Sequence, residues 1–337
     1  MKAWVLRENG PIEDQPLELV ERPMPEPGPR QVRIRVIVCG VCRTDLHIAE
    51  GDLPLRRTPI VLGHEIVGVV DSLGEGAGRH RVGDLVGATW LGRTCGTCRY
   101  CRGGRENYCD YFQAVGWDLD GGFSECAVLD EDAVLPLGGI SLPDKELAPL
   151  MCPGVAGYCA FRLTGAQPGD RLGLYGFGPT ADYVLRVARH LGLEVYVGSR
   201  SRRNLERARR QGAAWAGNVV KDGMPATLHS AVVFPPAGAL VEAALRDLGV
   251  GGVLVLAPVS MSKIEVCKYS SNLWGRDLRT LYNINRRDAL AFLELAGQTD
   301  LAVGVDVFPF EALPEAMISV RHGKLRQANA VVRVASL

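Results

Sequence analysis

The chain has 337 residues, 38 basic against 38 acidic side chains, and 47% hydrophobic residues. At roughly 150 residues per domain this is enough for two cored domains, and a formal net charge of zero leaves no electrostatic reason to expect nucleic acid or an anionic membrane as partner. No apolar run reaches the ~18 residues of a membrane span, and the opening Met1–Arg7 stretch lacks the apolar core of a secretory leader. The expectation is therefore a cytoplasmic protein whose ten cysteines serve metals or chemistry rather than disulfides.

Residues 1–153 read as β-rich. Strand candidates such as Val32–Val38 and Ile66–Val70 are separated by Gly- and Pro-rich turns, and Pro23, Pro25, Pro27, Gly28 and Pro29 mark an early loop. From 154 to 283 the pattern changes to alternating strands and helices. Arg171–Tyr175 reads as a strand, followed by a helix whose apolar positions are Val184, Leu185, Val187, Ala188 and Leu191. Strands at Glu194–Val197, Ala231–Phe234 and Val253–Leu256 come next. That spacing predicts a parallel, doubly wound α/β sheet. Residues 284–337 are expected to return to the first domain. No internal repeat or low-complexity tract is present.

Cys95, Cys98, Cys101 and Cys109 form a C-x2-C-x2-C-x7-C cluster inside a lobe at about 90–112. Four thiolates on short loops make a closed tetrahedral zinc site, which leaves no open position and so reads as structural. Gly96, Gly103 and Gly104 allow the loop to fold tightly. An iron–sulfur cluster is the rival occupant, disfavoured by the catalytic context elsewhere in the chain.

A second constellation is dispersed. Gly40-Val41-Cys42-Arg43-Thr44-Asp45-Leu46-His47 precedes Gly63-His64-Glu65, and Met151-Cys152-Pro153-Gly154 comes much later. Cys42, His64 and Cys152 could supply three zinc ligands and leave a fourth position open, the arrangement of a catalytic zinc. A cation there would ease deprotonation of an alcohol hydroxyl. Spacing alone does not select Cys152 over Cys39, Cys126 or Cys159.

Gly176-Phe177-Gly178-Pro179-Thr180-Ala181 is G-x-G-x-x-A between a predicted strand and a predicted helix, the context that a dinucleotide fingerprint requires. Gly176 makes the tight turn and Gly178 lets the backbone approach a pyrophosphate at the helix N-terminus. Pro179 suits the first helical position, and Ala181 stands in for the third glycine. Where an NAD enzyme usually carries a carboxylate for the ribose hydroxyls, this chain has Ser199 and Arg200. A carboxylate would repel a 2′-phosphate, whereas a hydroxyl and a guanidinium would bind it. NADP is expected over NAD, which remains possible. Arg286 and Arg326 could also reach the cofactor.

Together these motifs resemble the zinc-containing alcohol dehydrogenases of the medium-chain dehydrogenase/reductase superfamily, nearest the propanol-preferring and cinnamyl-type bacterial enzymes. GVCRTDLH, GHE, the four-cysteine loop and Cys152 occur in the family's order, and the match covers nearly the whole chain. The resemblance implies a GroES-like catalytic domain (1–153 and 284–337) with a Rossmann domain (154–283). It implies two zinc ions per chain, an alcohol or aldehyde substrate, and a homodimer or homotetramer. It assigns Cys42, His64 and Cys152 to the catalytic zinc and Glu65 to an approach to the metal during ligand exchange. Asp45 orients the histidine ligand, Thr44 and His47 form a proton relay, Arg43 contacts the cofactor pyrophosphate, and Trp90 walls the substrate pocket. Relatives commonly carry a small residue where this chain has Pro153, which lacks an N–H and biases Cys152 away from helical geometry. The reading is an NADP-preferring, zinc-dependent alcohol dehydrogenase or aldehyde reductase. The alternatives are a polyol or sugar dehydrogenase, a zinc-free quinone reductase and a non-enzymatic zinc-binding relative. Trp90, the cysteine loop, and Thr44 with His47 argue respectively against these.

Overall fold

The structure, a computed structural model, describes residues 1–266 and 268–335. The chain forms two compact units, Met1–Cys152 with Ile284–Leu337, and Pro153–Asn283.

The first unit is built on the Gln31–Val41 strand of a seven-stranded sheet. Val32, Ile34 and Val36 are fully buried and alternate with half-buried residues, as period-2 geometry requires of a strand with one face on the core. From Val36 to Val41 every residue is buried. Glu65–Leu73 runs antiparallel along one edge. The other edge pairs first with Cys126–Asp130 and then, towards Val41, with Asn329–Arg333, so the C-terminal residues complete this unit's sheet. The register places Gly40 opposite Glu65. Two neighbouring strand ends therefore deliver Cys42 and His64 side by side, because one strand stops at Val41 and the other starts just after His64. The short strands Leu91–Arg93 and Gln113–Ala114 pair to close the base of the cysteine lobe.

The second unit is a six-stranded sheet in the order Trp215–Gly217, Glu194–Gly198, Arg171–Tyr175, Leu228–Val233, Leu248–Leu256, Asp277–Thr280, with every neighbouring pair parallel. Numbered within the unit this is 3-2-1-4-5-6, the Rossmann order, whose direction reverses between Arg171–Tyr175 and Leu228–Val233. The four strands expected from sequence are present, buried on the helix-covered faces. Two further strands escaped that reading. Trp215–Gly217 has only three residues, and Asp277–Thr280 is a polar edge strand exposed at all four positions. Edge strands are typically short or charged: the first is too short to show a period, and the second carries no hydrophobic signal. Among the described residues, no helix is long and apolar enough to cross a membrane.

Phe177 of the first βα turn is fixed by charge as well as by packing. Asp182, in the first turn of the Pro179–His190 helix, is fully buried and faces two guanidinium groups, Arg186 at 2.9 Å and Arg207 at 3.2 Å. Arg207 also donates to the Phe177 carbonyl at 3.1 Å and lies over the Phe177 ring. Truncating one partner of a buried ion pair leaves the others uncompensated. Asp182→Ala is therefore expected to lower unfolding free energy by about 3 kcal/mol, measured by denaturant titration followed through far-UV circular dichroism.

Candidate active site

Cys42, His64, Glu65 and Cys152 converge in the first unit, with one ligand-type atom from each lying within 4.8 Å of the others. The Cys42 and Cys152 sulfurs are 3.8 Å apart. Contact with Cys152 holds the Cys42 thiol well below its ordinary range in spite of burial, with His64 contributing, while the same contact and burial push Cys152 well above it. Two adjoining thiols cannot both ionise easily on their own, and a dication between them would remove that conflict. The donor set of two sulfurs, one imidazole and a nearby carboxylate suits zinc. Of the four cysteines that spacing left open, the fold brings Cys152 to the cluster: Cys39 and Cys126 are buried in the first unit outside it, and Cys159 lies within the Pro153–Thr164 helix.

Asp45 organises this cluster. It is fully buried, and its carboxylate accepts from the Cys42 amide at 2.9 Å and the Gly63 amide at 3.2 Å. It also contacts His64 Nδ1 at 3.2 Å. That bond engages Nδ1, so the other ring nitrogen is left for the cluster, where His64 also bonds the Cys42 side chain; a carboxylate commonly orients a ligating histidine in this way. Burial disfavours a charged imidazole, but Asp45 outweighs it and raises the His64 pKa well above its ordinary value. Glu65 is raised well above the usual carboxylate range by burial. Glycine at position 40 follows from its cross-strand neighbour, because a Cβ there would overlap the Glu65 carboxylate.

Thr44 lies in the first turn of the Arg43–Ala49 helix, its hydroxyl 3.7 Å from the Cys42 sulfur. His47, on the same helix, does not bond to Thr44. Its Nδ1 pairs with Asp52 at 2.8 Å, and both side chains are exposed. Asp52 is a partner that sequence reading missed. Arg43 is exposed on the same turn. Pro153 opens the Pro153–Thr164 helix, where a missing N–H costs nothing, and Cys152 before it is non-helical at φ −127° and ψ −75°.

Trp90 meets His64 edge-on at 5.1 Å between ring centroids and is half-buried. Its other neighbour is Trp117, 5.7 Å away and tilted by 30°. Trp117 stands 27 residues further on in a stretch with no motif, so sequence reading gave no reason to select it.

In the lobe, Cys95, Cys98, Cys101 and Cys109 gather their sulfurs within 4.8 Å of one another. Backbone amides point at them: Cys98 N donates to the Cys95 sulfur at 3.3 Å and Cys95 N to the Cys109 sulfur at 3.4 Å. Amides of Thr97 and Cys98 bring the Cys95 pKa to about 6, whereas burial takes Cys101 up to about 12. Four sulfurs gathered in this way could hold a second metal without an open position.

The second unit carries a cavity of ≈ 630 Å³ at the carboxyl ends of its strands, beside the point where strand order reverses. Gly176, Gly178, Thr180, Ala181, Ser199 and Arg200 all line it. Gly176 adopts φ +86° against Pro235, and a Cβ on Gly178 would enter open space. The turn therefore leaves a bare backbone cradle at a helix N-terminus, which could receive a pyrophosphate. Pro179 is the first helical residue, capped by Gly178. The cavity also takes in Ser201, Asn204 and Asn218, which sequence reading did not select. Ser201 and Asn218 cap the helices that follow them, a signal that was available. Arg286 lies in the first unit, where its backbone amide bonds Glu106 and its guanidinium donates to the Asp132 carbonyl; it does not line this cavity.

Comparison with known proteins agrees with this architecture. The family described as "Alcohol dehydrogenase GroES-like domain" matches residues 28–139. The chain is 39% identical over 340 residues to "Probable alcohol dehydrogenase AdhA" of Mycobacterium tuberculosis, covering 98% of this chain and 97% of that one. It is 31% identical to an alcohol dehydrogenase of Geobacillus stearothermophilus over 92% of this chain and 94% of that one. The solved structure of a cinnamyl alcohol dehydrogenase from Sorghum bicolor superposes with a TM-score of 0.85 at 27% identity, covering 99% and 98% of the two chains. The chain belongs to the alcohol dehydrogenases of the medium-chain dehydrogenase/reductase superfamily, with a GroES-like and a Rossmann domain.

Proposed function

We propose that this alcohol dehydrogenase is zinc-dependent and NADP-preferring, and interconverts primary alcohols and aldehydes. The observation that carries the reading is the convergence of Cys42, Cys152 and an Asp45-oriented His64, with Glu65 behind them. These three would hold a catalytic zinc, and the four lobe cysteines a structural one. When bound, the catalytic ion supplies Lewis acidity toward the alcohol or aldehyde oxygen. In this reading Thr44 takes the substrate hydroxyl proton on its Oγ as it gives up its own, and His47 passes a proton to solvent; the Thr44 hydroxyl 3.7 Å from the Cys42 sulfur and the exposed His47 support it. A polyol or sugar substrate is less well matched, because Trp90 and Trp117 present indole surface beside the cluster.

Elemental analysis of purified protein is expected to give about two zinc ions per chain. A value near one that added zinc does not change would remove one of the two sites. Cys98→Ser should lower the unfolding temperature, because metal binding at a structural site contributes directly to folding. Cys42→Ser should abolish turnover while leaving the fold intact.

Cofactor preference rests on the end of the Glu194–Gly198 strand, where the cavity is lined by Ser199 and Arg200 instead of a carboxylate. Arg200 is exposed, so its charge-assisted bond to a 2′-phosphate is placed near the lower end of the range, about 1.5 kcal/mol. Arg200→Asp should therefore reduce kcat/KM for NADP by about tenfold and spare or improve use of NAD. Equal losses with both cofactors would show that Arg200 does not discriminate between them.

For the relay, Thr44→Ala should nearly abolish alcohol oxidation at every pH, because the first proton acceptor is gone. His47→Gln should slow alcohol oxidation, with partial rescue by added imidazole. Steady-state rates across the pH range test both, and retention of most activity by Thr44→Ala would send the proton by another route.

A further inference from the structure

We propose that Trp117 is a positioning residue for substrate selection, setting the angle of Trp90 so that the pocket favours planar aromatic alcohols over short aliphatic ones. This rests on the reading of Trp90 as a pocket wall. Among the described residues Trp90 has two ring neighbours, of which His64 belongs to the donor cluster and Trp117 does not. On one side His64 meets it at 85°. On the other, Trp117 stacks on it at 5.7 Å, within the range of attractive offset arrangements.

Trp117 is itself held from three directions. Its indole N–H donates to the Pro54 carbonyl at 2.9 Å, its backbone amide reaches the Ala114 carbonyl at 3.4 Å, and the Arg56 guanidinium lies 3.6 Å from its ring centroid. Arg56 is in turn held by Asp118, whose carboxylate also accepts from the Ala114 amide at 2.8 Å. The result is a continuous stack of His64, Trp90, Trp117 and Arg56, running from the donor cluster to solvent. A half-buried indole pinned at its N–H, its backbone and its outer face cannot rotate freely, so Trp90 rests on a fixed support. A flat apolar wall gains most from a flat apolar ligand, through area and ring contact; a two-carbon chain gains little from either.

The test is the ratio of kcat/KM for benzyl alcohol to that for ethanol, measured on the zinc- and cofactor-supplied enzyme with thermal unfolding followed in parallel. The wild-type enzyme should favour benzyl alcohol. Trp117→Leu should lower the ratio by about three- to tenfold, the worth of one aromatic pair, chiefly through KM for benzyl alcohol. Trp117→Phe should largely preserve it. Arg56→Gln, at an exposed position that tolerates change, should lower it about twofold, and decides the matter if Trp117→Leu does not fold. A lost structural support alone would lower both activities together and leave the ratio unchanged. An unchanged ratio in folded Trp117→Leu or in Arg56→Gln, or a wild-type preference for ethanol, overturns the proposal. Trp90→Ala separates the two readings. If it removes the preference and Trp117→Leu does not, only the role of Trp117 fails; if it leaves the preference intact, the pocket-wall reading fails as well.

Discussion

The candidate active site depends on one buried carboxylate. Asp45 accepts from the Cys42 amide, the Gly63 amide and the His64 ring, so it ties together two segments about twenty residues apart at the ends of neighbouring strands. Those three donors would otherwise be buried without partners, each at a cost of about 1–3 kcal/mol. The carboxylate also sits in the first turn of the Arg43–Ala49 helix, where the helix dipole favours negative charge. The strands set the distance between Cys42 and His64; Asp45 sets the direction in which the histidine ring faces the cluster.

The second unit uses a similar device. Asp182 also lies buried in the first turn of a helix and engages Arg186 and Arg207. Arg207 carries the effect onward, because it binds the carbonyl and covers the ring of Phe177, the residue between the two glycines of the turn. Arg207 belongs to the Arg202–Arg210 helix, which begins just after Ser199 and Arg200. One ion-pair network thus connects the glycine turn to the segment that would contact the adenosine end of a dinucleotide.

Charge and packing divide the work around the donor cluster. Carboxylates orient its polar members, whereas the face beside His64 is formed by two stacked indoles. The arrangement sets a cluster rich in titratable groups against an apolar surface. His47, on the same helix as Thr44, pairs at the surface with Asp52 just beyond the helix end.

Much of this was legible in the amino-acid order, for a local reason. The Rossmann sheet is a succession of strands and helices whose hydrophobic periods are short, and the glycine turn is a contiguous motif whose backbone demands can be read from residue types. The cysteine lobe is likewise local, since its four sulfurs come from fifteen consecutive residues. The edge strands Trp215–Gly217 and Asp277–Thr280 were not legible, because three residues are too few to show a period and an exposed, charged four-residue strand has no hydrophobic one. The choice of Cys152 among four cysteines, the bond between His47 and Asp52, and the stacking of Trp117 on Trp90 were decided only by tertiary structure. Each joins residues whose spacing carries no signal, and each is fixed by where strand register and loop closure bring side chains together. Sequence therefore determined the kind of fold and the identity of the contiguous motifs; three-dimensional packing decided which dispersed residues share a site, because proximity across strands and loops is a property of the folded backbone and not of any local pattern.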